Sequence, residues 1–352
     1  MIDFRYHLVS IVAVFLALAI GIVLGSTELQ GDTIDALRLS SNQLNSELNA
    51  SNGQRDSYEQ QVRVYQQFLQ TAGAEQKLLA NELTGDRIVL VTEPGAQSIV
   101  LSGIRQAAGL AGAKVIGQVA LQPTFNDLSG ANESSLAAIN SSQASNNQLA
   151  LATPSDQQTG NQQQAAQLIA SAILATTTAA ETQGISPAGG EALLGAYAQA
   201  GYLSISGAPY DRATLAVIVT PETTPADGQS DPANQVLLAL AEEFAPASAA
   251  TIVVGSTAGS GAGSAISVLR SSSVSSQVSS VDNADTMIGQ ISAMWALANQ
   301  LGGAKANSYG ISGASAVSPV PSAVPSATPS TTSTPTTRPT KTGKGDKSVK
   351  KK

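Results

Sequence analysis

Residues 87–121 read R-I-V-L-V-T-E-P-G-A-Q-S-I-V-L-S-G-I-R-Q-A-A-G-L-A-G-A-K-V-I-G-Q-V-A-L. The first six residues are β-branched or aliphatic at almost every position, and Glu93-Pro94-Gly95 supplies a turn. Ser98–Leu110 has the spacing of a helix, and Lys114–Leu121 is strand-like again. A first strand that is apolar on both faces suits a parallel sheet covered on both sides, so the stretch predicts a βαβ unit.

The same rhythm runs downstream. Helices are expected over 191–202, 234–244, 265–270 and 285–301, and strands over 215–220, 251–255 and about 278–281. An α/β domain with a Rossmann-like parallel sheet, spanning 85–314, is the economical architecture. Residues 129–163 are poor in large apolar side chains and read as a helical or mobile insertion.

Upstream the period changes. One heptad frame places Ile34, Leu37, Ser41, Leu44, Leu48, Ser51, Arg55, Tyr58, Val62, Tyr65, Leu69, Ala72, Gln76, Leu79 and Leu83 on a single seam. A sustained 3.5-residue repeat on a Gln-, Asn- and Ser-rich surface predicts a coiled-coil stalk over 27–84, about 75 Å long. Gly73 is a point where the helix would break. A helical hairpin folded back within one chain is the alternative.

Before the stalk, residues 8–24 form an apolar run reaching about 26 Å, the short end of a bilayer span. A transmembrane anchor over 1–26 is expected, with a cleaved secretory signal as the competing reading. Arg5 precedes the run, whereas Glu28, Asp32 and Asp35 follow it, so the N-terminus is expected in the cytoplasm and the C-terminal domain outside, at the cell membrane or envelope. Ala13, Ala17, Gly21 and Gly25 recur at four-residue spacing, a small-residue ridge of the kind that lets helix backbones approach in lipid. That ridge, with Leu37, Leu44, Leu48, Val62 and Leu69 of the seam, predicts a homo-oligomer.

The chain ends in a different composition. Residues 315–352 are rich in Pro, Ser and Thr, and seven Lys or Arg after Ala316 face one acid, Asp346. Too little apolar bulk is present to offset ordering entropy, so a disordered basic tail is expected.

Much chemistry is excluded by residue type. Cysteine is absent, which removes disulfides, thiolate metal sites and cysteine nucleophiles. The sole histidine, His7, precedes the apolar run, so the α/β domain has no Ser-His-Asp triad and no imidazole metal site. The glycine-rich G-S-T-A-G-S-G-A-G-S at 255–264 matches neither the dinucleotide nor the P-loop fingerprint and reads as a flexible connector. No enzyme activity, no bound cofactor and no nucleic-acid partner is expected. Asp282 and Asp285, in V-D-N-A-D-T-M-I-G, read as helix-capping acids with cation binding as the sharper alternative. Met287 and Met294 lie seven apart on one helix; they are the domain's only thioethers and read as core residues.

The N-terminal D-F-R-Y-H-L-V-S-I-V-A-V-F-L-A-L-A-I-G-I-V-L-G-S, the R-I-V-L-V-T-E-P-G-A unit, and V-D-N-A-D-T-M-I-G-Q-I-S-A-M-W-A-L-A-N-Q-L-G-G with its following S-Y-G resemble the actinobacterial copper transporter family named for mycobacterial copper transport protein B. The resemblance covers residues 1–309. It implies a cell-envelope protein of copper export or homeostasis, with copper as the transported ion and an oligomeric channel component as one form of it. An anchored coiled-coil scaffold whose α/β domain binds an envelope partner is a second reading, and a nucleotide or sugar-phosphate enzyme a third. Ser308-Tyr309-Gly310 lacks the histidine that the resemblance leads one to expect there, so no ligand role is carried to it.

Overall fold

The computed structural model describes residues 6–25, positions 38, 40–45, 48, 52 and 55, and residues 74–151, 153–154, 159–175, 185–222 and 231–319. Helix α1, Tyr6–Gly25, has a mean hydropathy of 2.9, contains no buried residue, and has the length and composition to cross a membrane. Ala13, Ala17, Gly21 and Gly25 are all exposed along it. Among the seam residues Leu44 and Leu48 are exposed, while Leu37, Val62 and Leu69 lie outside the described residues.

From residue 74 onward the chain is mixed α/β. Its elements are α2 (Ala74–Leu79), β1 (Arg87–Thr92), α3 (Ser98–Leu110), β2 (Lys114–Leu121), α4 (Gly130–Asn146), α5 (Gly160–Ile173), α6 (Pro187–Gln199), β3 (Leu203–Gly207), β4 (Leu215–Val219), α7 (Ala233–Ala247), β5 (Ala250–Val254), α8 (Ala265–Ser271), β6 (Ser279–Val281), α9 (Met287–Leu301) and β7 (Ser308–Tyr309). Seven strands form one sheet in the order β3-β2-β1-β4-β5-β6-β7, parallel throughout except for β3, which pairs antiparallel with β2.

The continuous apolar strands are buried on both faces because side chains alternate across a pleat. Val89, Val91, Ala216, Ile218 and Val253 face α4, α5, α6, α7 and α8, packing with Leu136, Ile169, Leu193, Phe244 and Leu269. Ile88, Leu90, Leu215, Val217 and Val254 face α2, α3 and α9, packing with Leu79, Ile104, Met294 and Leu297. Leu79 and Leu83, the last two seam positions of the heptad reading, belong to this second core and are fully buried. Trp295 closes over them, its Nε1 donating to the Leu78 carbonyl at 3.1 Å.

One segment departs from expectation, and a second packs more deeply than its composition suggested. The strand β3, L-S-I-S-G, exists because β2 offers it an antiparallel edge; a bulge at Ile116 turns the pairing, and the Ile116 carbonyl accepts from Ala208 N–H at 3.0 Å. Gly207 makes this fit possible: at φ +73°, a Cβ there would sit 2.7 Å from the Ile116 carbonyl. Within 129–163, read as a helical or mobile insertion, the helix α4 contributes Leu136 and Asn140 to the interior, and α5, which begins at the end of that segment, buries ten of its fourteen residues. Tyr197 of α6 donates to Asn140 Oδ1 at 2.6 Å, and Asn140 Nδ2 donates to the Asn161 carbonyl at 2.8 Å, tying the three helices together.

Candidate functional site

The loops that leave the parallel strands gather at the carboxyl end of the sheet, where α/β proteins place their binding groups. Helix α3, which follows β1, packs on one face, and α7, which follows β4, packs on the other. The adjacent strands β1 and β4 therefore send their chains to opposite sides, the topological position at which α/β folds place their binding crevices.

Glu93 sits at that point. Its N–H donates to the Val219 carbonyl at 3.0 Å, and its carbonyl accepts from Ala96 N–H at 3.1 Å, closing the turn against β4. Ala96 bridges to Pro221, and Gly95, at φ +88°, lets the turn close beside the Pro221 ring. Val89 and Val91 face the α7 side, and continued alternation carries the Glu93 side chain the same way. The residue is 5% exposed, and its Oε2 has no hydrogen-bond partner. Burial, and then the charge of Asp231 just ahead of α7, push the Glu93 carboxyl from the ordinary 4.5 to about 8. Asp231 itself accepts from Ala233 N–H through Oδ1 at 2.9 Å, holding the first turn of α7.

Asp282, at the end of β6, is a contrasting carboxylate. It is wholly buried and forms an ion pair with Arg270, Nη1 to Oδ2 at 2.8 Å. Ile311 N–H donates to Oδ1 and Ser312 N–H to Oδ2, both at 2.7 Å. The Arg270 guanidinium also donates to Ser280 Oγ at 3.0 Å, to the Tyr309 carbonyl at 2.8 Å and to the Ser312 carbonyl. Arg270 is the one Lys or Arg in residues 213–304, and it is spent on this clamp. Gly310 passes at φ +127° so close to Asp282 that a Cβ would collide with its carboxylate.

The capping role read for Asp282 belongs instead to Thr286, whose hydroxyl accepts from Gly289 N–H at 3.1 Å; α9 starts at Met287 rather than at residue 285. Asp285 accepts from both the N–H and the hydroxyl of Thr257, at 2.8 and 3.0 Å, so it ties the β5–α8 loop to the β6–α9 loop. The glycine-rich loop read as a connector is held further by Ser260, whose hydroxyl donates to the Thr257 carbonyl and lies at hydrogen-bond distance from Ser312 Oγ, 2.9 Å. Met287 and Met294 are buried among aliphatic side chains of the second core, as their spacing suggested. Among the described residues, no three His, Cys, Asp or Glu side chains group so as to hold a metal ion.

Sequence reasoning thus found the two acids of the β6–α9 loop but neither Arg270 nor Glu93. The lone cation in a stretch of some ninety residues was a signal for the first, and an acid placed directly after an apolar strand was a signal for the second.

The family model described as "Copper transport outer membrane protein, MctB" matches residues 1–321. Proteins named "Copper transporter MctB" from Mycobacterium bovis and Mycobacterium tuberculosis are each 26% identical over 314 residues, covering 88% of this chain and 96% of the relative. The protein of that name from Mycobacterium leprae is 26% identical over 329 residues, covering 91% of this chain and all of the relative.

Proposed function

This chain belongs to the family of copper transport outer membrane proteins, MctB, and from that premise we propose that it serves copper export or homeostasis at the cell envelope. The observation that carries the reading is coverage: the match begins at residue 1 and ends at 321, taking in the apolar helix, the heptad segment and the α/β domain together. In this reading α1 is an uncleaved anchor with a cytoplasmic N-terminus, the part of 27–84 ahead of α2 is a coiled-coil stalk, α2 and the following residues up to 314 form an extracytoplasmic domain, and 315–352 is a disordered basic tail. The strand order β2-β1-β4-β5-β6 supports a Rossmann-like lineage for the sheet, from which the antiparallel β3 departs. In this reading the protein is a transport component of the envelope rather than an enzyme.

Association is part of the proposal. A single helix with Leu, Ile and Val faces can border a path for an ion only in an oligomer, and Gly21 and Gly25 leave open backbone on α1 for a second helix. Pairing of Gly21→Leu with Gly25→Leu, or Leu44→Asp with Leu48→Asp, shifts the detergent-solubilised protein to monomer in sedimentation; unchanged profiles in both refute association. Cysteines at the exposed Ser40 and Ser273 are labelled by an impermeant thiol reagent in wall-permeabilised cells, and protection of both refutes the orientation.

The deciding experiment is cellular copper content in a deletion strain. The strain accumulates copper and complementation restores the parental level; equal copper in deletion and parent overturns the reading. A second reading, an anchored scaffold whose domain binds an envelope partner, is favoured by one observation: the acids at the site are committed to Arg270 and Thr257, not to a copper ligand set. Copper flux in liposomes containing only this protein supports the channel form, whereas co-purification of an envelope protein without flux supports the scaffold.

A further inference from the structure

At the β3 border of the sheet, open backbone groups lie next to a cation without an acid. Gln122 N–H donates to the Tyr202 carbonyl at 2.9 Å and Ala208 N–H to the Ile116 carbonyl at 3.0 Å, so the even-numbered residues of 202–208 turn their backbone groups to β2. Leu203 and Ile205 therefore turn theirs outward, and among the described residues no backbone group meets them. Beside them, on the α3 side, lies a cleft of about 340 Å³ lined by Arg105, Gly109, Ala113, Val115, Ser206 and Gly207, in which Arg105 is the one charged residue. Its Nη2 donates to Gln118 Oε1, a neutral amide, and no carboxylate pairs with it among the described residues. A guanidinium carries five donors, so most of this one stays open to an acid.

We propose that this edge takes up an extended acidic segment of a partner polypeptide as an added strand, with an Asp or Glu side chain of that segment on Arg105. Main-chain hydrogen bonds to Leu203 and Ile205 supply affinity and the cleft supplies specificity, the mode by which open sheet edges bind peptides. The register follows from the pleat. A residue opposite the exposed Ser206 shares its face and points into the cleft, whereas its neighbours in sequence point to the other face, where the half-buried Ile205 packs on the first core. The segment that fits therefore alternates, an acid on one face and aliphatic side chains on the other. The guanidinium also chooses between occupants: β3 of a second copy, L-S-I-S-G, would bring no acid to it. The proposal gives the scaffold reading a surface and does not depend on copper, because its readout is peptide binding by the isolated protein.

The test uses the full-length, detergent-solubilised chain at pH 7 and low ionic strength, with two short blocked peptides of alternating Thr and Val that carry Glu or Gln in place of the central Thr. In titration calorimetry the Glu peptide binds once per chain with a dissociation constant of about 10⁻³ M or tighter, and the Gln peptide about tenfold more weakly. Arg105→Gln brings the Glu peptide down to the affinity of the Gln peptide, whereas Lys305→Gln, which removes an exposed charge outside the cleft, changes neither. Methylating the amide nitrogens of every second peptide residue abolishes binding in one phase and spares it in the other, because only one row of amides faces β3. Thermal melting verifies that Arg105→Gln remains folded. Equal affinity for the two peptides, loss in both methylation phases or in neither, or a dimer in sedimentation that the peptide cannot enter overturns the proposal.

Discussion

Glu93 and Asp282 are the same kind of group in the same kind of place: a carboxyl buried at the carboxyl end of a parallel strand in one sheet. Asp282 meets a guanidinium and two backbone N–H groups, whereas Glu93 meets an unmade hydrogen bond and a like charge. Burial alone therefore says little about what a carboxyl does; the partners decide it. A carboxylate with its donors supplied holds loops in place, and one without them is poised for a proton or a ligand.

Breaking the satisfied end has the largest expected effect. Arg270→Met leaves Asp282 buried and unpaired and lowers unfolding free energy by about 3–5 kcal/mol, read by denaturant titration. Adding Asp282→Leu to it recovers part of that loss, because the pair is then removed rather than broken. A single Arg270→Met with wild-type stability would show that the clamp is idle.

At the unsatisfied end the sign reverses. The folded carboxyl of Glu93, at about 8, lies above its unfolded value of 4.5, so the linked stability is fully present below pH 4.5 and is lost as pH rises towards 8. By pH 7 the forfeited stability is about 3 kcal/mol. Glu93→Gln, which cannot ionise, is therefore more stable than the parent by about that amount at pH 7 and by almost nothing at pH 4.5. Parallel pH–stability curves for the two proteins would sink the argument.

Gly310→Ala comes third. It places a Cβ against the Asp282 carboxylate at a φ that side chains rarely adopt, costing about 2 kcal/mol. The smallest effect belongs to a control that touches neither carboxyl: Met287→Leu with Met294→Leu conserves volume and costs less than about 1.5 kcal/mol per site. That double variant leaves competition for Cu(I) against a chelator unchanged; a loss of copper binding there would reveal the methionines as ligands.

The sheet's centre was legible because its information is local. The bounds of β1, α3 and β2 follow from apolar runs, a turn and a helical period within 35 residues. Strand β3 was not legible, since L-S-I-S-G becomes a strand only by pairing with β2. Helix α5 was hidden because its buried residues are mostly Ala, Gly160, Gln162 and Gln163, with large aliphatics only at Leu168, Ile169 and Ile173 towards its end. Leu79 and Leu83 fitted a heptad seam and turned out to be core, because one apolar period serves either a partner helix or the chain's own domain. At the site, spacing pointed to Asp282 and Asp285, but their partners Arg270 and Thr257 lie 12 and 28 residues away, and only the fold brings them together.

The loop gripped by Arg270 and Asp282 has one more effect. After β7 the chain returns at once, and Ala316 bridges to Tyr309 while the Ser315 and Ala316 N–H groups donate to the Ser308 carbonyl. The chain thus hems its own sheet on that side, covering backbone groups that an incoming strand would need. At the far side, among the described residues, β3 ends the sheet with nothing further paired to it. A seam sewn at one border and left raw at the other makes the β3 side the border where an added strand would find open backbone groups.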